Sequence, residues 1–389
     1  MRRRRLWRYR FLHLLNSVPV AQLLDDLTVG GLERAAVNLA NGLAEKGYES
    51  HLICSRGAGG LRSSVAEEVQ VWCANRTRRW DFAGLRRIAD YIDEHNIDLV
   101  HSHNHYSSYL TRVVFRFCKR KPLHVVTDQD GPGLHNKKQA FLDRLILRNV
   151  DGLVTVTEAL RDRAKRLLHL DDSNCIYVIN GVDIPPTHKA WEGRPTVVQL
   201  ANLHWPKDHV TAVRAAAILS KQIDGLRWVC AGRVAEPATD YVREVRDLIG
   251  SMGLSETMVL AGEVSDIKAL LKEAHVGVLT SEFEALPLSV LEYMAARLPV
   301  VMTDVGQGPT IVRSAEAGKI APAGDAERVA EALRGVLVDP RGAQQMGANG
   351  RAYVVEHCSV GAMTQQVHNL YLRLFESRRP DLSVSPGMQ

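Results

Sequence analysis

Cysteine is sparse in this chain and never closely paired: Cys54, Cys73, Cys118, Cys175, Cys230 and Cys358 form no Cys-x-x-Cys spacing. The usual thiolate frameworks of zinc modules and redox motifs are thereby excluded. Most of the six fall in apolar runs, so they are expected to be reduced, buried and cytosolic. Uninterrupted apolar runs of spanning length are also lacking, and the stretch after the first ten residues is broken by His13, Asn16 and Pro19. A transmembrane helix is excluded on that ground, and a secretory signal is not expected. Spread positive charge is missing too. The net charge is +5, but six arginines lie within the first ten residues, which leaves the remainder close to neutral. An extended nucleic-acid surface would distribute Lys and Arg along a folded face, so no nucleic-acid partner is expected. The turn Val29-Gly30-Gly31-Leu32-Glu33-Arg34 lacks the third glycine of a dinucleotide fingerprint, which argues against a nicotinamide dehydrogenase. No nucleophilic triad is evident.

What is present is a chain of 389 residues, 46% hydrophobic and 24% charged, enough for two globular domains. Strand-like and helix-like segments alternate almost from end to end, the pattern of parallel sheets with crossover helices. A first strand is expected over 18–24, a glycine turn at 28–31 and a helix over 32–46, where Ala35, Ala36, Leu39, Ala40 and Leu43 recur at helical spacing. Further units follow at 51–54, 99–101, 123–127, 152–157 and 176–179. Pro185-Pro186, Gly193 and Pro195 interrupt the pattern. The expected organisation is therefore α/β: a doubly wound domain over 1–185, a linker over 186–195 and a second doubly wound domain over 196–358. A terminal helix over 359–377 is expected to pack across the domains, and 378–389 reads as a polar disordered tail. Open α/β sheets bind ligands beyond the carboxyl ends of their strands, so two in tandem imply a central cleft. Within 1–16, arginines interleave with Leu6, Trp7, Tyr9, Phe11 and Leu12, a basic amphipathic segment suited to anionic lipid headgroups. The expected location is cytoplasmic, with peripheral contact at the inner face of the membrane.

The most informative stretch is Ser281-Glu282-Phe283-Glu284-Ala285-Leu286-Pro287-Leu288-Ser289-Val290-Leu291-Glu292-Tyr293-Met294-Ala295. A strand is expected before it at 276–280, and Pro287 suits a helical first turn because its missing N–H would be unpaired there anyway. Glu284 then sits in a strand-to-helix loop, where free backbone N–H groups and the helix dipole favour an anion. Ionised carboxylates are pure acceptors, so two of them beside an anion site point to a hydroxyl-rich ligand. Lys207 follows Ala201-Asn202-Leu203-His204-Trp205-Pro206 after the strand 196–200, which places a cation at another strand end. His101, His103 and His105 alternate after 99–100. A zinc site is one reading of that spacing, and packing or ligand contact are the others.

Taken together, Gly30-Gly31-Leu32-Glu33-Arg34, the turn Asn180-Gly181-Val182-Asp183, Lys207, and Glu284 with Glu292 resemble glycosyltransferase family 4. The resemblance covers most of the chain. It implies the GT-B fold of two Rossmann-like domains and a retaining transfer from a nucleotide-sugar donor, most often UDP- or GDP-linked, with no cofactor and no metal. It further implies that Glu284 and Lys207 are catalytic, the first holding hydroxyls of the transferring sugar and the second the leaving diphosphate. Glu292 would accept from the ribose hydroxyls. Asn202, Gly30, Gly31, Leu286, Pro287 and Leu288 would line the nucleotide and phosphate site, while His103, Gln129 and Asp130 would lie on the acceptor side. The acceptor would be a glycan or a lipid-linked sugar, in cell-surface polysaccharide or glycolipid biosynthesis. Three positions depart from the family's commoner pattern: Asn202 stands where arginine is frequent, Gln129 where histidine is, and Thr310 where glutamate is. The alternatives are a nucleotide-sugar epimerase on the same fold and a catalytically weak sugar-nucleotide-binding protein.

Overall fold

The computed structural model describes residues 18–28, 30–78, 81–128, 144, 147–186, 191–234, 240–264 and 266–378. The basic segment 1–16 and most of the 378–389 tail lie outside the described residues; Arg378 still belongs to a helix. The chain divides into two compact units: Val182–Ser359, and a unit built from Met1–Gly181 together with Val360–Gln389. The division therefore falls slightly ahead of the linker expected over 186–195.

The first unit contains β1 (Pro19–Asp26), α1 (Gly31–Glu45), β2 (Glu49–Gly57), β3 (Gln70–Cys73), α2 (Phe82–Glu94), β4 (Leu99–Ser102), α3 (His105–Val114), β5 (Leu123–Asp128), β6 (Gly152–Thr155), α4 (Glu158–Leu168) and β7 (Cys175–Tyr177). Its strands pair in parallel in the order β3-β2-β1-β4-β5-β6-β7. Every residue of β4 and β5 is buried, as expected of inner parallel strands covered on both faces. The edge strand β3, whose four residues are only half-buried or exposed, was not expected from the sequence.

The second unit contains β8 (Thr196–Leu200), α5 (His209–Leu219), β9 (Arg227–Ala231), α6 (Asp240–Ser251), β10 (Met258–Gly262), α7 (Ile267–Glu273), β11 (Val276–Leu279), α8 (Leu288–Ala295), β12 (Val300–Thr303), α9 (Gly308–Ser314), β13 (Gly318–Ala321), α10 (Ala326–Leu337) and α11 (Pro340–His357). The order is β10-β9-β8-β11-β12-β13, again parallel. In α11, Gly342, Gly347 and Gly350 lower helix propensity and hide the element from a periodicity reading. Packing supplies the reason for two of them: a Cβ at Gly347 would lie 2.2 Å from the Arg297 carbonyl oxygen, and one at Gly350 3.0 Å from Ala317 Cβ.

The chain then returns to the first unit as α12 (Val360–Arg378). Met363, Val367, Leu370, Tyr371 and Leu374 recur at helical spacing and join one core with Leu39 and Leu43 of α1 and Val125 and Val154 of the sheet. A Cβ at Gly152 would meet Leu374 at 2.9 Å. The helix expected to pack across the domains is thus part of the core of the first unit. All six cysteines are free. Cys54, Cys175, Cys230 and Cys358 are buried as expected, whereas Cys73 and Cys118 are half-buried. Among the described residues, no helix is long and apolar enough to cross a membrane.

Candidate active site

In the second unit the strand order reverses between β8 and β11. Loops after such neighbouring strands leave in opposite directions and open a crevice at their carboxyl ends. Lys207 follows β8 and Glu284 follows β11, and here the two meet: Lys207 Nζ lies 2.6 Å from Glu284 Oε1. Ser281 Oγ donates to the same oxygen at 2.7 Å. Glu284 Oε2 has no hydrogen bond among the described residues, which leaves it as an acceptor. The Lys207 and Glu284 side chains are 24% and 10% exposed, partly shielded from water and still reachable.

Several bonds lace the two loops together. The Thr280 hydroxyl lies 3.1 Å from the Lys207 carbonyl oxygen and 2.8 Å from that of Asp208, and it accepts from Gln199 Nε2 at 3.0 Å. Glu282 N donates to Pro206 O at 2.9 Å, and Trp205 Nε1 to Glu282 Oε2 at 3.1 Å. Asp208, at φ 45°, caps α5 through Thr211 N at 3.0 Å and so turns the chain away directly after Lys207. A third loop closes on the glutamate from the other side. Gly306 has φ 67°, and a Cβ there would strike the Glu284 carbonyl oxygen at 2.4 Å, while Gln307 N donates to Ala285 O at 2.9 Å.

Leu288 is the first residue of α8, and Pro287 caps it with no side-chain hydrogen bond. The helix therefore starts one residue later than Pro287 in the first turn would give. Its leading N–H groups have no capping side chain, the condition under which a helix start receives an anion. Leu286 and Leu288 are half-buried and Pro287 is buried beside this start. Glu292 lies half-buried on α8, next to the fully buried Tyr293. Tyr293 anchors the helix: its hydroxyl accepts from Leu200 N at 2.6 Å and donates to Val278 O at 3.1 Å. Its ring lies where a Cβ on Gly277 would be, at 2.2 Å. Asn202 Oδ1 accepts from Arg233 N at 2.9 Å, so the residue that lacks the family's charge here holds the chain after β9. Arg233, exposed at that strand end, was not singled out from sequence. Thr310 is exposed on α9.

In the first unit, Gly30 precedes α1 with φ −152°, an extended conformation open to any residue, so backbone conformation does not demand glycine there. A Cβ would instead meet the carboxylate end of Glu33 at 2.2 Å. Gly31 opens the helix, which also lacks a side-chain cap. The three alternating histidines separate. His101 and His103 stack at 4.6 Å with an interplanar angle of 18°, whereas His105 opens α3 and lies 3.2 Å from Asp128 Oδ1. His101 bonds Tyr371 Oη and Thr127 Oγ1, both at 2.7 Å, and His103 Nε2 bonds Gln22 Oε1 at 2.8 Å. Both ring nitrogens of His101 are thus occupied by protein hydroxyls, which removes the zinc reading of these histidines. Burial pushes the His103 imidazole down to about 3 and that of His101 well below its ordinary value, so both are neutral near pH 7. Gln129 and Asp130 lie outside the described residues. Asp128, just before them, was missed because its partner His105 is distant in sequence. Among the described residues no three His, Cys, Asp or Glu side chains are grouped to hold a metal ion.

The family described as Glycosyl transferases group 1 matches residues 183–353, and Glycosyltransferase Family 4 matches residues 29–184. EpsD of Bacillus subtilis (strain 168), which is named as a glycosyltransferase, is 27% identical over 294 residues, covering 70% of this chain and 75% of EpsD. The lipopolysaccharide core biosynthesis mannosyltransferase LpcC of Rhizobium leguminosarum bv. viciae is 24% identical over 278 residues, 69% of this chain and 76% of LpcC. Among solved structures, Anabaena HepE in complex with UDP-glucose superposes with a TM-score of 0.77 at 15% identity, covering 91% of this chain and 99% of HepE.

Proposed function

This chain belongs to the GT-B glycosyltransferases of family 4, and from that premise we propose a retaining transfer of a sugar from a nucleoside-diphosphate donor, UDP- or GDP-linked, to a hydroxyl of a glycan or lipid-linked acceptor. The observation that carries this reading is the contact of Lys207 Nζ with Glu284 Oε1 at 2.6 Å, made at the strand-order reversal of the second unit. It joins a cation for a leaving diphosphate to an acceptor for sugar hydroxyls. Lys207 and the leading N–H groups of α8 stabilise charge on the departing phosphate, a fixed arrangement worth more than mobile solvent dipoles. Glu284 Oε2 accepts from hydroxyls of the transferring sugar, and Glu292 from the ribose. As the bond from the anomeric carbon to the phosphate oxygen breaks, the acceptor oxygen bonds that carbon on the same face. Its proton passes to the released phosphate oxygen, so no side-chain base is needed.

Relatives support the substrate class: a HepE structure contains UDP-glucose, and LpcC is a lipopolysaccharide core mannosyltransferase. Both fit a role in cell-surface polysaccharide or glycolipid synthesis. The test is transfer by purified protein across a panel of donors and acceptors, with and without EDTA. Glu284→Gln and Lys207→Ala are each expected to lower kcat by about 100-fold or more. NMR should show that the product keeps the donor's anomeric configuration, and EDTA should leave the rate unchanged. Full turnover in both variants would remove these assignments, and an inverted product would remove retention.

A further inference from the structure

The terminal helix does more than fill the core of the first unit. Tyr371 of α12 is fully buried and its hydroxyl lies 2.7 Å from His101 Nδ1, across 270 residues of sequence. Burial pushes the phenol far above its ordinary range, so it stays protonated and remains able to donate. When it donates to Nδ1, the single proton of the neutral His101 ring sits on Nε2 and is given to Thr127 Oγ1 at 2.7 Å. Two short bonds at opposite edges then fix the plane of His101. His103 stacks on that plane at 4.6 Å and 18°, and its Nε2 donates to Gln22 Oε1 at 2.8 Å. With its proton committed to Gln22, His103 keeps a lone pair on Nδ1, which has no hydrogen bond among the described residues.

We propose that Tyr371 is a positioning residue for acceptor recognition: through His101 it fixes the ring plane of His103, whose proton Gln22 holds on Nε2, and so aims Nδ1 as the hydrogen-bond acceptor for an incoming sugar hydroxyl. This rests on the acceptor-side reading of His103 and adds to it the reason for that ring's orientation. A helix far along the chain thereby controls one hydroxyl contact. The contact demands a donor, so the acceptor substrate presents a free hydroxyl there, and a methyl ether at that position is a poor substrate.

A second tyrosine–histidine pair, made by His368 of α12, supplies a control. Tyr48 Oη lies 2.8 Å from His368 Nδ1, and the Tyr48 ring meets Tyr371 edge-on at 6.3 Å. Tyr371→Phe and Thr127→Val each remove one bond to His101 and keep the volume. Both are expected to lower kcat/KM for the acceptor about tenfold or more, as small misplacements do, with the donor KM within about twofold of wild type. Tyr48→Phe is expected to leave both unchanged. Nitrogen-15 NMR of the full chain without substrate should show His103 protonated on Nε2 alone in the wild type and in Tyr48→Phe. In Tyr371→Phe the His103 ring resonances should move from their wild-type positions as the ring plane is released. Wild-type His103 resonances in Tyr371→Phe would overturn the relay whatever the kinetics, as would wild-type acceptor kcat/KM in that variant while His103→Gln is impaired. Unchanged transfer by His103→Gln would instead defeat the acceptor-side reading, and the NMR comparison separates that failure from failure of the relay.

Discussion

Lys207 and Glu284 illustrate what a residue can do once a partner is found for it. As isolated residues in a sequence, a loop lysine and a loop glutamate are ordinary surface charges. At 2.6 Å, with Ser281 on the same carboxylate oxygen, they become a placed cation and a placed acceptor. The buried histidines act at the same scale through their neutrality. Burial holds His103 and His124 down to about 3 and His209 to about 4, against 6.5 for an unperturbed ring. The unfolded chain therefore takes up protons at these sites at a higher pH than the folded chain does. Their contribution to stability is complete above the unfolded value and is lost as pH falls from about 6.5 toward the folded values of about 3 to 4. Each is expected to cost about 2 kcal/mol of stability on going from pH 8 to pH 5. Urea unfolding across that range should show the loss, and a His124→Gln variant should show a shallower one.

Among the elements, α8 depends most on contacts that are not local. It has eight residues, no side-chain cap, and a single buried phenol that ties it to β8 and β11. Tyr293→Phe leaves Leu200 N and Val278 O without that partner, an expected loss of about 1–3 kcal/mol in urea unfolding. Because the same helix presents its N–H groups and Glu292, nucleoside-diphosphate affinity should fall in this variant as well, measured by calorimetry; unchanged affinity would separate the anchor from the ligand site. The second-unit strands β8 and β11 were legible in sequence because Val197-Val198 and Val276-Gly277-Val278-Leu279 are short apolar runs. By contrast, β13 and α11 were not: β13 begins with Gly-Lys at a sheet edge, and the glycines of α11 serve the closeness of its neighbours. Local pattern carries no record of such a neighbour.

At the scale of the whole molecule, the path of the chain matters most at its end. The first unit is assembled from both ends of the sequence, with α12 supplying Met363, Val367, Leu370, Tyr371 and Leu374 to its core. Ending the chain at Ser359 should therefore unfold the first unit, with exposure of its core seen as dye binding and loss of its cooperative transition. A helix lying only on the outside would leave that transition in place. Donor binding belongs to the second unit on the proposed reading, so saturating nucleoside diphosphate should raise the melting temperature of the full chain. At about 100 times Kd the gain is about 2.7 kcal/mol, and Lys207→Ala should abolish most of the shift at the same concentration.

By itself the sequence determined the alternation of strands and helices, the two doubly wound units, and the glutamates and lysine through which the family is recognisable. Those properties follow from periodicity and short motifs, which are local. Only the tertiary structure decided that Lys207 meets Glu284, that Asn202 holds the backbone of Arg233, and that Tyr371 reaches His101. Each of these joins residues far apart in the chain. Strand order brings Lys207 to Glu284 and Asn202 to Arg233, and the path of α12 brings Tyr371 to His101. Neither is written in the spacing of apolar residues.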